Sequence, residues 1–227
     1  MSNRMEITTK IGCKNNCVYC PQETFIKRYA ERSNIFQMSF DTFKTCIDKI
    51  PSDVIIEFSG MSEPWLNPEC TKMLFYAHKK GHKIKVFTTL IGMSSVDVEL
   101  LSTIPLEYFC VHLPSEGNLE SIMADESYLV NLCKLCKSSI SVDFLFKGEK
   151  LNPKVATLLN ECGKVAFQSN LSTRANNVEI KNAPLVKRKT GILTCLRKLR
   201  CNVLLPNGEV ILCCPDWGMK HVLGNLK

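Results

Sequence analysis

Over roughly its first 170 residues the chain switches repeatedly between two hydrophobic periods, and this alternation restricts the fold more than any other feature. Short apolar runs at 5–9, 54–59, 83–88, 106–112, 140–146 and 165–169 read as strands. Between them, 39–50, 68–80, 94–102, 120–137 and 153–162 read as helices. Ser39 suits an N-cap, Pro68 and Pro153 a first helical turn, and Gly81 and Gly163 helix C-termini. Parallel neighbours need a crossover, so strand–helix alternation at this spacing builds βαβ units. Six such strands predict an α/β fold in the form of a partial (β/α)6 barrel. Its functional residues are then expected at the C-terminal ends of the strands.

The pattern changes after residue 169. Residues 170–190 are polar, follow neither period and read as a linker. Apolar runs at 201–205 and 209–214 then flank Pro206-Asn207-Gly208, and Asn-Gly between such runs signals a hairpin. The chain of 227 residues, about one and a half average domains, therefore divides into 1–169, the linker 170–190 and a small module at 191–227.

Composition excludes several classes. Hydrophobic residues at 45% and charged residues at 22% are ordinary globular usage. The longest apolar runs, 73–77 and 210–214, are five residues, against roughly 20 for a membrane-spanning helix. The N-terminus carries no apolar h-region, so a cytoplasmic chain with no membrane partner is expected. The net charge of +7 is mild. Its densest basic stretch, Lys187-Arg188-Lys189 with Arg197, Lys198 and Arg200, contains no aromatic. It reads as a solvated face ahead of a phosphate-binding one, and nucleic acid is not an expected partner.

Thirteen cysteines is a high and odd count. Disulfide frameworks belong to short secreted chains, so metal or redox chemistry is the better expectation. Three of them stand in Cys13-Lys-Asn-Asn-Cys17-Val-Tyr-Cys20, directly after the first strand. Three thiolates without a fourth ligand nearby are the wrong number for structural zinc. They suit a four-iron cluster with one iron left open, the alternatives being a zinc loop or chance spacing.

This loop resembles the defining motif of the radical S-adenosylmethionine (SAM) superfamily, down to the aromatic Tyr19 before the third cysteine. The resemblance implies a [4Fe-4S] cluster on Cys13, Cys17 and Cys20, SAM chelating the open iron, and Tyr19 against the adenine. Gly60-Met61-Ser62-Glu63-Pro64, after the second strand, resembles the family's Gly-Gly-Glu-Pro motif, with Ser62 in place of the second glycine. Gly60, Ser62, Glu63 and Pro64 are accordingly expected to bind SAM. Thr88 and Thr89 sit where relatives carry a Thr-Asn pair, and Arg174 lies in a segment resembling one whose arginine approaches the SAM carboxylate. A guanidinium fork matches a carboxylate.

Cys195, Gly208 and Cys213 match the opening of the SPASM and twitch extensions of that superfamily, which hold auxiliary iron–sulfur clusters. Asp216-Trp217-Gly218 and Leu223-Gly224-Asn225-Leu226 resemble them too. The resemblance implies a second cluster on Cys195 and Cys213, with Cys201 and Cys214 as candidates to complete it. Those extensions carry further cysteines downstream, so the expectation is that 191–227 carries an atypical cluster, belongs to a fragment of a longer protein, or has lost the site. Cys213 and Cys214 point to opposite faces of a regular strand and cannot both reach one cluster unless Pro215 ends it.

Other residues are plainer. Cys46, Cys70, Cys110, Cys133, Cys136 and Cys162 read as core fillers. His112, at a strand end, is a candidate acid or base at the barrel mouth. Glu57 and Asp143 face either inward or outward. The resemblance implies reductive cleavage of SAM to a 5′-deoxyadenosyl radical. That radical would take hydrogen from a small sugar- or nucleoside-like molecule, with oxidation or epimerisation following and flavodoxin or ferredoxin supplying the electron. A peptide-modifying maturase is the alternative within the class, and a non-catalytic iron–sulfur or zinc protein the alternative outside it.

Overall fold

The computed structural model describes residues 3–117, 119–180 and 200–227. All six expected barrel strands form, most of them shorter than expected, β1 and β4 each reaching one residue outside the expected run: β1 (Arg4–Ile7), β2 (Ile55–Phe58), β3 (Ile84–Thr88), β4 (Tyr108–Leu113), β5 (Asp143–Phe146) and β6 (Ala166–Gln168). Each pairs in parallel with the next. The helices are α1 (Gln22–Ala30), α2 (Phe40–Ile47), α3 (Cys70–Lys79), α4 (Ser95–Leu101), α5 (Glu126–Lys137) and α6 (Pro153–Glu161). The hairpin forms from β7 (Cys201–Leu204) and β8 (Glu209–Ile211), and a further strand, β9 (Val222–Asn225), follows it.

One sheet holds all nine strands in the order β6-β5-β4-β3-β2-β1-β7-β8-β9. β6 does not return to β1; instead β7 pairs in parallel with β1, with Arg4 opposite Cys201 and Ile7 opposite Leu204. β8 and β9 then add antiparallel. The result is a partial (β/α)6 barrel extended at its β1 edge by antiparallel hairpins.

The period-two alternation of the strands sorts two environments. Met5 and Ile7, Ile56 and Phe58, Ile84 and Val86, and Phe109, Val111 and Leu113 belong to the large apolar core that the helices cover. The intervening Arg4, Glu6, Glu57, Phe87 and His112 face the other side and line a cavity. Glu57 is thus an inward residue, 4% exposed, whereas Asp143 is exposed. A second, smaller core joins Phe25 and Tyr29 of α1 to Val203, Leu205, Ile211, Trp217 and Met219.

Three elements depart from the sequence expectation. α1 was not anticipated; only Phe25 and Tyr29 of its nine residues are buried, too sparse a stripe to read. α5 begins at Glu126, not at 120, because the Asp125 carboxylate caps it by accepting from Tyr128 N at 2.9 Å. The residues before it are engaged elsewhere: Val18 N donates to Leu119 O (2.9 Å) and Ser121 N to Asn15 O (2.6 Å). β9 was missed because Gly224 interrupts a short, largely exposed run.

Candidate active site

The three cysteines of the first loop open onto a cavity of about 370 Å³ at the C-terminal ends of the strands. A dense net of bonds shapes the loop. Cys20 N donates to Cys17 O at 2.9 Å, closing a turn. Gln22, the first residue of α1, accepts from Cys13 N (3.4 Å) and donates to Cys20 Sγ (3.5 Å) and to the carbonyl of Met61. Tyr19 is 7% exposed; its hydroxyl donates to Glu120 Oε1 at 2.7 Å, and Ser115 Oγ donates to the other oxygen at 2.9 Å. The loop is therefore clasped by α1 on one side and the β4–α5 connection on the other.

Burial raises the pKa of all three thiols, that of Cys17 to about 12. Cys13, Cys17 and Cys20 also raise one another where they interact, while Gln22 and Arg174 pull Cys20 back. Such thiols keep their protons until a metal displaces them. Among the described residues no three His, Cys, Asp or Glu side chains converge as ligands of one ion.

The loop after β2 is drawn against the end of β1. Gly60 has φ +66°, and a Cβ there would meet Thr8 Oγ1 at 2.4 Å, so only glycine permits the approach. Met61 N donates to Thr8 Oγ1 at 3.0 Å and Thr9 Oγ1 donates to Pro64 O at 2.7 Å. Pro64 starts a short 3-10 turn and is not on the cavity wall, whereas Gly60, Ser62 and Glu63 are.

Glu63 ties this loop to the end of β3. Thr88 Oγ1 donates to its Oε1 (2.6 Å), and Thr89 N and Oγ1 donate to its Oε2 (2.7 and 2.8 Å). Each hydroxyl also accepts one bond, Thr88 Oγ1 from Leu90 N (2.9 Å) and Thr89 Oγ1 from Asn15 Nδ2 (2.8 Å). Burial pushes the Glu63 pKa up and these donors oppose it. Thr88 and Thr89 themselves line the cavity.

The far wall is cationic. His112, Lys147 and Arg174 all line it. Burial, with Lys147 and Arg174 adding to it, pushes the His112 pKa down to about 4, so the ring is neutral at pH 7. Burial and Arg174 lower Lys147 as well. Deeper in the lumen the charge reverses. Arg4 Nη1 donates to Glu57 Oε2 (3.0 Å), Arg4 Nε to Cys201 Sγ (3.1 Å), and Cys201 Sγ to Glu6 Oε1 (2.7 Å). Burial and the facing Glu6 raise the Glu57 pKa, with Arg4 opposing.

The cysteines of the C-terminal part are dispersed. Cys214 lines the cavity with Cys13, Cys17 and Cys20. Cys201 is buried in the lumen network and is not on the cavity wall, and Cys213 lies off the wall, its carbonyl accepting from Asp216 N at 3.0 Å. β8 ends at Ile211, so the strict alternation that would separate Cys213 from Cys214 does not extend to them. Cys195 lies outside the described residues.

Four buried polar side-chain atoms of the described residues have no hydrogen-bond partner: Ser62 Oγ, Tyr128 Oη, Arg174 Nε and Trp217 Nε1. Three of those residues line this one cavity. An unmet buried polar atom costs about 1–3 kcal/mol. Their concentration here marks a space shaped for a polar ligand, and fits a cluster–SAM assembly that brings sulfur, carboxylate and amine groups.

No protein-family model matches the sequence, and no curated protein matches it. Solved structures do. BtrN in complex with AdoMet and 2-DOIA aligns over 100% of this chain and 78% of its own, at 16% identity and a TM-score of 0.61. SuiB of Streptococcus suis, bound to the precursor peptide SuiA, aligns over 99% of this chain at 13% identity and a TM-score of 0.68. The chain spans only 63% of SuiB. The enzyme anSMEcpe with bound AdoMet aligns over 98% of this chain and 77% of its own, at 12% identity and a TM-score of 0.64.

The fold is that of the radical SAM enzymes.

Within this fold, the residues singled out from the sequence that line the cavity are Cys13, Cys17, Tyr19, Cys20, Gly60, Ser62, Glu63, Thr88, Thr89, His112, Arg174 and Cys214. Sequence reasoning missed Asn15, Gln22, Glu120 and Lys147. The signal for Lys147 is its place: it directly follows β5, two residues beyond Leu145, which pairs with His112. Gln22 and Glu120 had no such signal, since only the tertiary structure brings them to the loop.

Proposed function

We propose that this protein is a radical SAM enzyme acting on a small molecule. The observation that carries the reading is the convergence of three loop thiols and three unmet buried polar groups on one cavity at the strand ends. Cys13, Cys17 and Cys20 would hold a [4Fe-4S] cluster. Ser62, the backbone after Gly60, and Arg174 would receive the amino acid part of SAM, and Tyr19 would flank its adenine. When bound, the cluster and SAM supply one-electron cleavage of SAM to methionine and a 5′-deoxyadenosyl radical, which takes hydrogen from an unactivated C–H bond.

The chain's own residues do the rest. Gln22 fixes the loop by bonding Cys13, Cys20 and Met61 together. Glu63 holds the ends of β2 and β3 in register around the cavity. His112 is neutral at pH 7, so one ring nitrogen is able to accept a hydrogen bond from a substrate hydroxyl, while a pKa of about 4 makes it a weak proton acceptor. Glu6, Glu57 and Ser59 offer acceptors in the lumen that suit a hydroxyl-rich, sugar- or nucleoside-like substrate more than an apolar side chain. An oxidation or an epimerisation is the outcome such a substrate would undergo, and an external flavodoxin or ferredoxin would supply the electron. A second cluster would involve Cys214, which already faces the cavity.

The deciding experiment is anaerobic reconstitution with iron and sulfide, followed by SAM and dithionite. 5′-Deoxyadenosine should form with the parent chain and be lost in Cys17→Ala. A parent that takes up no iron, or binds zinc alone, would overturn the reading.

A further inference from the structure

The least explained group in the cavity is the indole of Trp217. The side chain is 4% exposed, lines the cavity, and leaves its Nε1–H without an acceptor. Its ring is not free to turn toward water. Phe25 of α1 packs edge-on against it, with ring centroids 5.8 Å apart and planes at 85°. Trp217 belongs to an apolar cluster that includes Met61 and Met219, and Cys20 and Cys214 pack against that cluster. Trp65, the other tryptophan, shows the ordinary arrangement: its Nε1 donates to Thr71 Oγ1 at 3.0 Å. Two of the remaining unmet atoms on the wall, on Ser62 and Arg174, are already assigned to SAM above. The Trp217 donor shares that wall, and the apolar cluster it belongs to is the one against which Cys20 packs.

Building on the proposed function, we infer that Trp217 donates its indole N–H to a sulfur of the iron–sulfur cluster at Cys20, and thereby sets the cluster's reduction potential. A hydrogen bond to a cluster sulfur withdraws electron density and favours the reduced state. The donor comes from the C-terminal part of the chain, so the β7–β9 extension would tune the cluster held by the N-terminal loop. Trp217→Phe removes the N–H while keeping an aromatic ring against Phe25.

The test compares parent and Trp217→Phe, both full-length and anaerobically reconstituted. It measures iron content, SAM affinity, and the midpoint potential of whichever electron paramagnetic resonance signal responds to added SAM. Equal iron content, a more negative midpoint in the absence of SAM, and SAM affinity within about twofold of the parent are expected. An unchanged midpoint overturns the inference. So does a loss of SAM affinity at unchanged midpoint, which would assign the donor to SAM, or a shift confined to a signal that ignores SAM. If Trp217→Phe fails to fold, the same measurements on a chain with 3-benzothienylalanine at position 217 decide, since that residue replaces N–H by sulfur in nearly the same shape. A parent chain that forms no SAM-responsive cluster sinks the proposed function itself, an outcome distinct from all of these.

Discussion

At the scale of single residues, Glu63 shows how a motif position is used by its neighbours. Its carboxyl group collects donors from Thr88 and Thr89, and its charge helps to raise the pKa of the nearby Cys13 thiol. Glutamine at this position has one acceptor oxygen and must present an amide N–H₂ to at least one of those donors. Glu63→Gln is therefore expected to lose about 1–3 kcal/mol of stability, the cost of a buried hydroxyl donor that has lost its acceptor. Urea unfolding of the two chains under reducing conditions measures it. A loss below about 0.5 kcal/mol would mean that the buried carboxyl is already protonated in the parent, where an amide is close to isosteric. Residues of this kind were partly legible from sequence. Glu63 stands out because a glycine and a proline bracket it after a strand, and Thr88 and Thr89 because they end one. Glu120 carries no such mark. It matters only because the chain before α5 folds back over Tyr19, and that choice is made by Asp125 capping the helix late.

Among the elements, α1 links the two halves of the site. Its first residue, Gln22, bonds the cysteine loop, and one turn later Phe25 is fully buried against Trp217 and Tyr29. Phe25→Ala would leave a cavity between α1 and the C-terminal hairpins and is expected to cost about 3–5 kcal/mol. Because the same helix orients Cys20 through Gln22, iron retention after reconstitution should fall alongside the thermal midpoint. A stability loss under 1 kcal/mol with full iron content would show that α1 does not hold the loop. The strands were readable because each alternates apolar and polar residues or is apolar throughout, and the turn Pro206-Asn207-Gly208 announced the hairpin. α1 was not, since its charged Glu23, Lys27 and Arg28 leave only a narrow stripe of buried positions. Nor did the sequence reveal where the hairpin attaches. The parallel pairing of β7 with β1 joins residues almost 200 positions apart, and no local period encodes such a partner.

On the scale of the whole molecule, that attachment decides how the chain should unfold. β1 is paired on both edges, with β2 on one side and β7 on the other, so the barrel and the hairpins share a central strand. The lumen network repeats the connection with side chains, since Cys201 of β7 bonds both Glu6 and Arg4 of β1 and Arg4 continues to Glu57 of β2. Removing one partner from such a buried network leaves a charge uncompensated, so the parts cannot separate cheaply. The two tryptophans report on the two apolar clusters independently: Trp65 sits in the large core beneath the helices and Trp217 in the smaller one beside the hairpins. Single-tryptophan chains made by Trp65→Phe and Trp217→Phe should therefore show fluorescence transitions in urea that coincide with each other and with the loss of far-ultraviolet dichroism. If the Trp217 signal melts at lower urea than the Trp65 signal, the hairpins form a separate cooperative unit and β7 is a weak guest on the β1 edge. Coincident transitions would mean that the strand carrying the cysteine loop cannot be released without losing the sheet. A site assembled from both ends of the chain would then be as stable as the fold that holds it.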